Sequence, residues 1–162
     1  MAGLITAIDP GSTMSAWVVI DEDLRPIARE KAPNKFLLQQ LRTNRRILNT
    51  AIAIEMIASY GMPVGAEVFD TCVWIGRFQE AAGNASGYEP VLVKRGDVKR
   101  HHCHSNRAKD SNVRQALVDR FAPGESNYGK GTKASPGWFY GFRADLWQAY
   151  ALAVYLADTN PV

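Results

Sequence analysis

A chain of 162 residues, 46% apolar and 22% charged, is long enough for one well-packed core and short for two, so residues 1–162 read as a single domain. No apolar run approaches the ~20 residues of a membrane span, the first residues lack the basic region and cleavage site of a secretory leader, and Cys72 and Cys103 show no paired spacing. Membrane-spanning and disulfide-framework classes are thereby excluded, and a cytoplasmic protein with reduced thiols and no membrane partner is expected.

The net charge of +3 conceals an asymmetry. Acidic side chains slightly outnumber basic ones up to residue 93. Beyond it Lys94, Arg95, Lys99, Arg100, Arg107 and Lys109 follow in quick succession with Asp97 as their one acid. Such a segment favours a polyanionic partner, although a solvated basic loop would have the same composition.

Residues 4–8 (LITAI) and 16–20 (AWVVI), separated by Gly11-Ser12-Thr13, predict a β-hairpin. Asp9 then sits at the turn end of the first strand, ahead of Pro10 and Gly11, with little conformational freedom left to lose. Asp-Pro-Gly is also ordinary turn chemistry. Between Asn34 and Thr50, Phe36, Leu37, Leu38, Leu41, Ile47 and Leu48 predict an amphipathic helix, with Asn34 as N-cap and Arg42, Arg45 and Arg46 off the apolar stripe. Residues 51–57 (AIAIEMI) have the length and near-continuous apolarity of a strand buried on both faces. Glu55 interrupts that run, and a carboxylate losing its hydration must be protonated, paired or bound to a cation.

After the break at Gly61-Met62-Pro63, a helix is expected from about Ala66 to Ala82, carrying Val68, Phe69, Cys72, Val73, Ile75 and Phe78. Residues 91–93 read as a strand, the basic stretch follows, and a helix spans about Ser111–Phe121 with Asp110 or Ser111 as cap. Residues 122–141, rich in Gly, Ser and Pro, predict a flexible loop. A last helix from about Ala144 to Ala157 puts Leu146, Ala149, Tyr150, Ala153, Val154 and Ala157 on a core face and Asp145 in its first turn, where the helix dipole alone also suits a carboxylate. The fold class is α/β, with an N-terminal hairpin, a central strand and helices packed on the sheet.

Asp9, Glu55 and Asp145 stand apart because each marks the end or centre of an element rather than an ordinary solvated face. Three carboxylates brought together in a low-dielectric cleft repel, so convergence would call for divalent cations, and magnesium suits a few carboxylates shared with a phosphate. Two such ions can activate a water and stabilise a leaving oxygen of a phosphodiester. His101, His102 and His104 flank Cys103, but adjacent residues do not converge on one tetrahedral zinc, and a basic segment with titrating histidines is the simpler reading. In the 122–141 loop, Tyr128, Trp138, Phe139 and Tyr140 interleave with Lys130 and Lys133, which suits stacking on unpaired bases or folding back onto the domain.

These residues resemble the RuvC-like Holliday-junction resolvases of the ribonuclease H-like superfamily, in their bacteriophage branch. The carriers span nearly the whole chain: Ile8-Asp9-Pro10-Gly11-Ser12, Ile54-Glu55-Met56-Ile57, Lys109-Asp110-Ser111-Asn112-Val113-Arg114-Gln115-Ala116-Leu117, and the run from Asp145 to Ala153. The resemblance implies a five-stranded mixed sheet, a homodimer, and paired magnesium-dependent nicks in four-way or otherwise branched DNA, with manganese as a substitute ion, two ions per site and no small-molecule cofactor. It implies that Asp9, Glu55 and Asp145 bind metal and that Lys99, with Arg107 or Lys109, approaches the scissile phosphate. Lys94, Arg95, Arg100, Lys130, Lys133 and Arg143 complete the expected DNA-binding set. It also places junction or subunit contacts near Trp74 and Phe78, although rings at that spacing equally suit a core. One departure is plain: Gln148 stands where the family often carries a second aspartate on the last helix, one turn after the first. The competing expectation is a non-catalytic protein that binds branched or single-stranded DNA through a degenerate metal site.

Overall fold

The structure is a computed structural model describing residues 3–160. Strands β1 (Ile5–Asp9) and β2 (Met14–Ile20) form the expected antiparallel hairpin, with Ile8 opposite Trp17 and Asp9 opposite Ala16. β3 (Pro26–Pro33) continues the meander, and α1 (Asn34–Thr43) and the single turn α2 (Arg45–Leu48) lead to β4 (Ala51–Met56). α3 (Ala66–Ser86), β5 (Val91–Lys94), α4 (Arg95–Cys103), α5 (Asp110–Phe121) and α6 (Leu146–Thr159) complete the chain. The sheet order is β3-β2-β1-β4-β5, antiparallel across the first three strands and parallel from β1 through β4 to β5.

Because side chains alternate along a strand, the two faces of the sheet build two cores. Ile8, Trp17, Ile52 and Ile54 pack with Leu37, Leu38, Leu41, Ile75 and Phe78 of α1 and α3. Ala7, Ala16, Val18, Ala53 and Val93 pack with α5 and α6 on the other face. α6 is buried almost all round, with Ala149, Ala151 and Ala153 fully enclosed. Asp9 and Glu55 share the parity of Ala7 and Ala53, so both carboxylates rise from the α6 face at the C-terminal ends of adjacent parallel strands.

Several elements differ from the sequence expectation. β3 was not anticipated: it is a charged edge strand in which Ala32 alone is fully buried, so it has little apolar alternation to detect. α4 forms in the basic stretch, for which no element was predicted: Gly96 and Val98 are its sole buried residues and its outer face stays charged, so it has no apolar stripe to detect. The helix expected over 34–50 is split at Asn44, whose side chain accepts from Arg46 N to cap α2. Asn34 is the first helical residue rather than the cap, and its side chain turns to the β1–β2 turn instead. α3 runs on to Ser86 and stops at Gly87, which adopts the left-handed conformation (φ 81°) that glycine takes without penalty.

Between α5 and α6 the chain is irregular apart from one 3-10 turn at Asn127–Gly129, and its rings divide. Phe139 and Phe142 are buried among Trp147 and Tyr150, and Trp138 stacks on Phe121 at 5.1 Å while donating through Nε1 to the Tyr150 hydroxyl. Phe139 and Trp138 are therefore core rings, not base-stacking ones, because burying them offsets the ordering of a Gly-rich segment. Tyr128 keeps an exposed ring, with Arg114 4.3 Å from its centroid.

Candidate active site

The position of Asp9 is set by the turn that follows it. Gly11 has no room for a Cβ against the Met14 carbonyl, so the turn closes only around glycine. Gly11 N–H donates to Ser15 Oγ at 3.1 Å, Ser15 donates to Asn34 Oδ1 at 2.6 Å, and Asn34 Nδ2 donates to the Gly11 carbonyl at 2.8 Å. Ser15 and Asn34 are buried, so this cycle ties the hairpin turn to the start of α1 and holds the strand end rigid.

Asp9 is buried, and burial together with the charge of Glu55 holds its pKa well above the usual carboxylate range, with Arg95 pulling the other way. Glu55 lies on β4 one register step beyond the Ile8–Ile54 pair. Between them lies the guanidinium of Arg95, the first residue of α4. It donates through Nε and Nη2 to the two oxygens of Glu55 and through Nη2 to Asp9 Oδ1 at 3.3 Å. Burial opposes the charge of Arg95, but Glu55, Asp9 and Asp110 outweigh it and raise its pKa above the ordinary value. These groups open into a cleft of about 540 Å³ lined by the Asp9–Ser12 turn, Glu55, Tyr60, Glu67, Thr71, Lys99 and Asn106. A larger groove of about 990 Å³ lies at the opposite ends of β1 and β4, along Leu4, Ala51, Trp17 and Tyr88.

Two of the three expected acids are thus brought together. Asp145 precedes α6 and is close enough for its charge to raise the Asp9 pKa, but its half-exposed carboxylate is paired with Lys31 Nζ at 2.7 Å. Gln148 lies one turn into α6 and is buried. Among the described residues no three His, Cys, Asp or Glu side chains are grouped closely enough to hold one ion. The pair itself fits a hard divalent cation by its donor chemistry: oxygens of two carboxylates converge on one point that a cationic group already fills.

Of the expected cations, Arg95 and Lys99 alone line this cleft. Lys99 lines it and stands 3.7 Å from Asp110 Oδ1. Lys94, Arg107, Lys109, Lys133 and Arg143 are exposed, and Lys130 half so. Arg100 is exposed and paired with Asp97 at 3.0 Å. Arg95 departs from the expected DNA-facing role, since here it is engaged by the acids themselves. Phe78 is a core ring, and Trp74 packs partly against it.

The histidines turn inward. His101 pairs with Asp158 at 2.7 Å and His102 Nε2 bonds the Ala151 carbonyl at 2.8 Å, while His104 is exposed at the end of α4. The DNA-facing titrating segment expected there is corrected for His101 and His102, which fasten α4 to α6. Sequence reasoning missed Lys31, Tyr60, Asp110 and the Ser15–Asn34 cycle. Asn34 and Asp110 had a local signal, and in both it pointed to a helix cap.

No family model matches the chain, and no curated protein matches it in sequence. Solved structures do. It is similar to Thermus thermophilus RuvC at 18% identity and a TM-score of 0.61, over 96% of both chains. It is likewise similar to T. thermophilus RuvC in complex with a Holliday junction substrate, at 18% identity and a TM-score of 0.60, over 96% of this chain and 93% of that one. At that identity the likeness is one of backbone, and the chain has a RuvC-like fold: a ribonuclease H-like mixed five-stranded sheet flanked by helices.

Proposed function

We propose that this protein is a structure-selective DNA endonuclease that nicks four-way or otherwise branched DNA by divalent-metal-dependent hydrolysis. The observation that carries it is the Asp9–Glu55 pair at the ends of two adjacent parallel strands of a RuvC-like fold. Asp9 and Glu55 would hold magnesium, or manganese in its place, with Asp145 and the amide oxygen of Gln148 as further ligands from the start of α6. The bound ion would supply a water of lowered pKa and neutralise charge on the phosphate. Lys99 places an ammonium beside the acids, where it orients a phosphate oxygen, and the exposed Lys94, Arg107, Lys109, Lys130, Lys133 and Arg143 contact the DNA backbone without reading sequence. A homodimer would present two such clefts for paired nicks. The phage branch and a stoichiometry of two ions per cleft belong to the same proposal.

The test compares an immobile four-way junction with linear duplex of the same sequence, in magnesium, in manganese and in chelator. Metal-dependent paired nicks on the junction alone are expected, with Asp9→Asn, Glu55→Gln and Asp145→Asn each losing cleavage while retaining binding. Cleavage retained in all three variants refutes the mechanism. A second reading, a non-catalytic branched- or single-stranded-DNA-binding protein, is favoured by one observation: of the positions the resemblance marks for metal, Asp9 and Glu55 alone share a partner, while Asp145 is engaged by Lys31 and Gln148 is neutral. Tight junction binding with no metal-dependent cutting selects it.

A further inference from the structure

Arg95 follows β5 directly, so the backbone that ends the fifth strand carries its side chain across the ends of β4 and β1. Its Nη2 lies 3.2 Å from Glu55 Oε2 and 3.3 Å from Asp9 Oδ1. One nitrogen is thus shared by oxygens of two carboxylates, at the point where a small cation bound to both would sit. We propose that Arg95 is the resident counter-cation of the acid pair, and that a divalent ion enters the cleft by displacing its guanidinium. This rests on the metal-site reading above.

Two buried carboxylates side by side are costly without a cation, and the guanidinium supplies one whenever metal is absent. The same contact lowers the cation's affinity, since binding must break a two-pronged ion pair. The displaced side chain has a place to go. Asp110, exposed at the start of α5, already stands 4.0 Å from Arg95 Nη1. A DNA phosphate in the cleft offers the fork a second alternative, because guanidinium matches phosphate geometry as it matches carboxylate. Phosphate and metal ion then favour the same displaced state, so each raises the affinity for the other. In this way half of the pair's charge stays compensated in the free protein, and the pair loads metal when DNA arrives.

The experiment measures Mn2+ binding to the full chain by calorimetry without DNA, in wild type, Arg95→Gln, Arg95→Lys and the double variant Arg95→Gln/Asp9→Asn, with thermal midpoints taken in chelator and in Mn2+. Arg95→Gln is expected to bind Mn2+ at least tenfold more tightly than wild type, to melt lower in chelator, and to gain more on adding Mn2+. Arg95→Lys keeps the charge without the fork and is expected to fall between the two, so the proposal remains testable should Arg95→Gln fail to fold. The double variant is expected to lose the gain. Mn2+ affinity that is unchanged or weaker in both single variants overturns the proposal, and if wild type still cuts junctions the endonuclease reading survives without it. Absence of Mn2+ binding in every variant together with absence of cleavage overturns both.

Discussion

Asn34→Ala tests whether the turn that aims Asp9 is held by side chains rather than by the sheet alone. The substitution removes the amide that donates to the Gly11 carbonyl at 2.8 Å and accepts from the Ser15 hydroxyl at 2.6 Å. Asn34 and Ser15 are 2% and 1% exposed, so water cannot take over the lost partners without entering the core. Each buried polar group left unpaired costs about 1–3 kcal/mol, and because the Gly11 carbonyl belongs to a half-exposed residue and loses less than the buried Ser15 hydroxyl, the two together give about 2–4 kcal/mol. For a chain of this length each kcal/mol lowers Tm by about 2–4 °C, so a fall of about 5–15 °C is expected. Asn44→Ala is the control, because Asn44 makes an exposed cap bond to Arg46 N at 3.0 Å, worth about 1 kcal/mol. Thermal melting and urea denaturation of the two variants give the comparison. In the junction assay Asn34→Ala should lower kcat more than DNA affinity, because it loosens the strand end that positions Asp9. A Tm within 2 °C of wild type, or a loss no larger than that of Asn44→Ala, refutes the reasoning.

Tyr150→Phe strands Trp138 Nε1–H and the Leu24 carbonyl, which the buried hydroxyl now links at 3.0 and 2.7 Å, and should cost about 2–3 kcal/mol in urea denaturation. Lys31→Ala breaks a pair whose side chains are 34% and 50% exposed, so its stability effect should stay below about 1 kcal/mol, whereas a larger loss in the same assay would show that solvent does not screen this pair. Stability should also fall with acid in two stages, read as Tm between about pH 7.5 and pH 2. Burial lowers the His102 pKa below its ordinary 6.5, and the hydrogen bond from Arg120 lowers that of Asp158 below 3.8, so both contributions are intact above those values and are lost as pH falls through the folded pKa. His102→Gln should remove the upper stage and Asp158→Asn the lower, while Asp9, shifted upward, contributes with the opposite sign. A flat profile in wild type would contradict this.

How much of this was legible depended on whether the information was local. Asp9 and Glu55 could be found because a carboxylate at the end of an apolar run is anomalous by itself, and the run states where the strand ends. The hairpin, β4 and α6 followed from apolar period and length alone. β3 and α4 did not, since an edge strand with one fully buried residue and a helix anchored by Gly96 and Val98 have almost no hydrophobic period to read. Trp138 and Phe139 were ambiguous for a related reason. A ring in a Gly-rich segment has the same local sequence whether it faces a base or a core, and only the neighbouring Phe121 and Tyr150 decide it.

Arg95 shows the limit most clearly. In sequence it is one of six cations between positions 94 and 109, with nothing to separate it from Lys94 or Arg100. Its distinction comes from three facts that lie far apart in the chain. β5 is parallel to β4, the register pairs Glu55 with Val93, and the strand ends at Lys94. A side chain on the next residue is thereby delivered to the end of β4, where Glu55 and Asp9 already face each other. Asp145 illustrates the converse. Its place in the first turn of the last helix was readable, but its partner Lys31 belongs to the strand that left no apolar signal, so the Lys31–Asp145 pair could not be foreseen. The charge state of this cleft is therefore a property of the fold: Arg95 and Lys31, from opposite edges of the sheet, each hold an acid that the sequence marks for a cation.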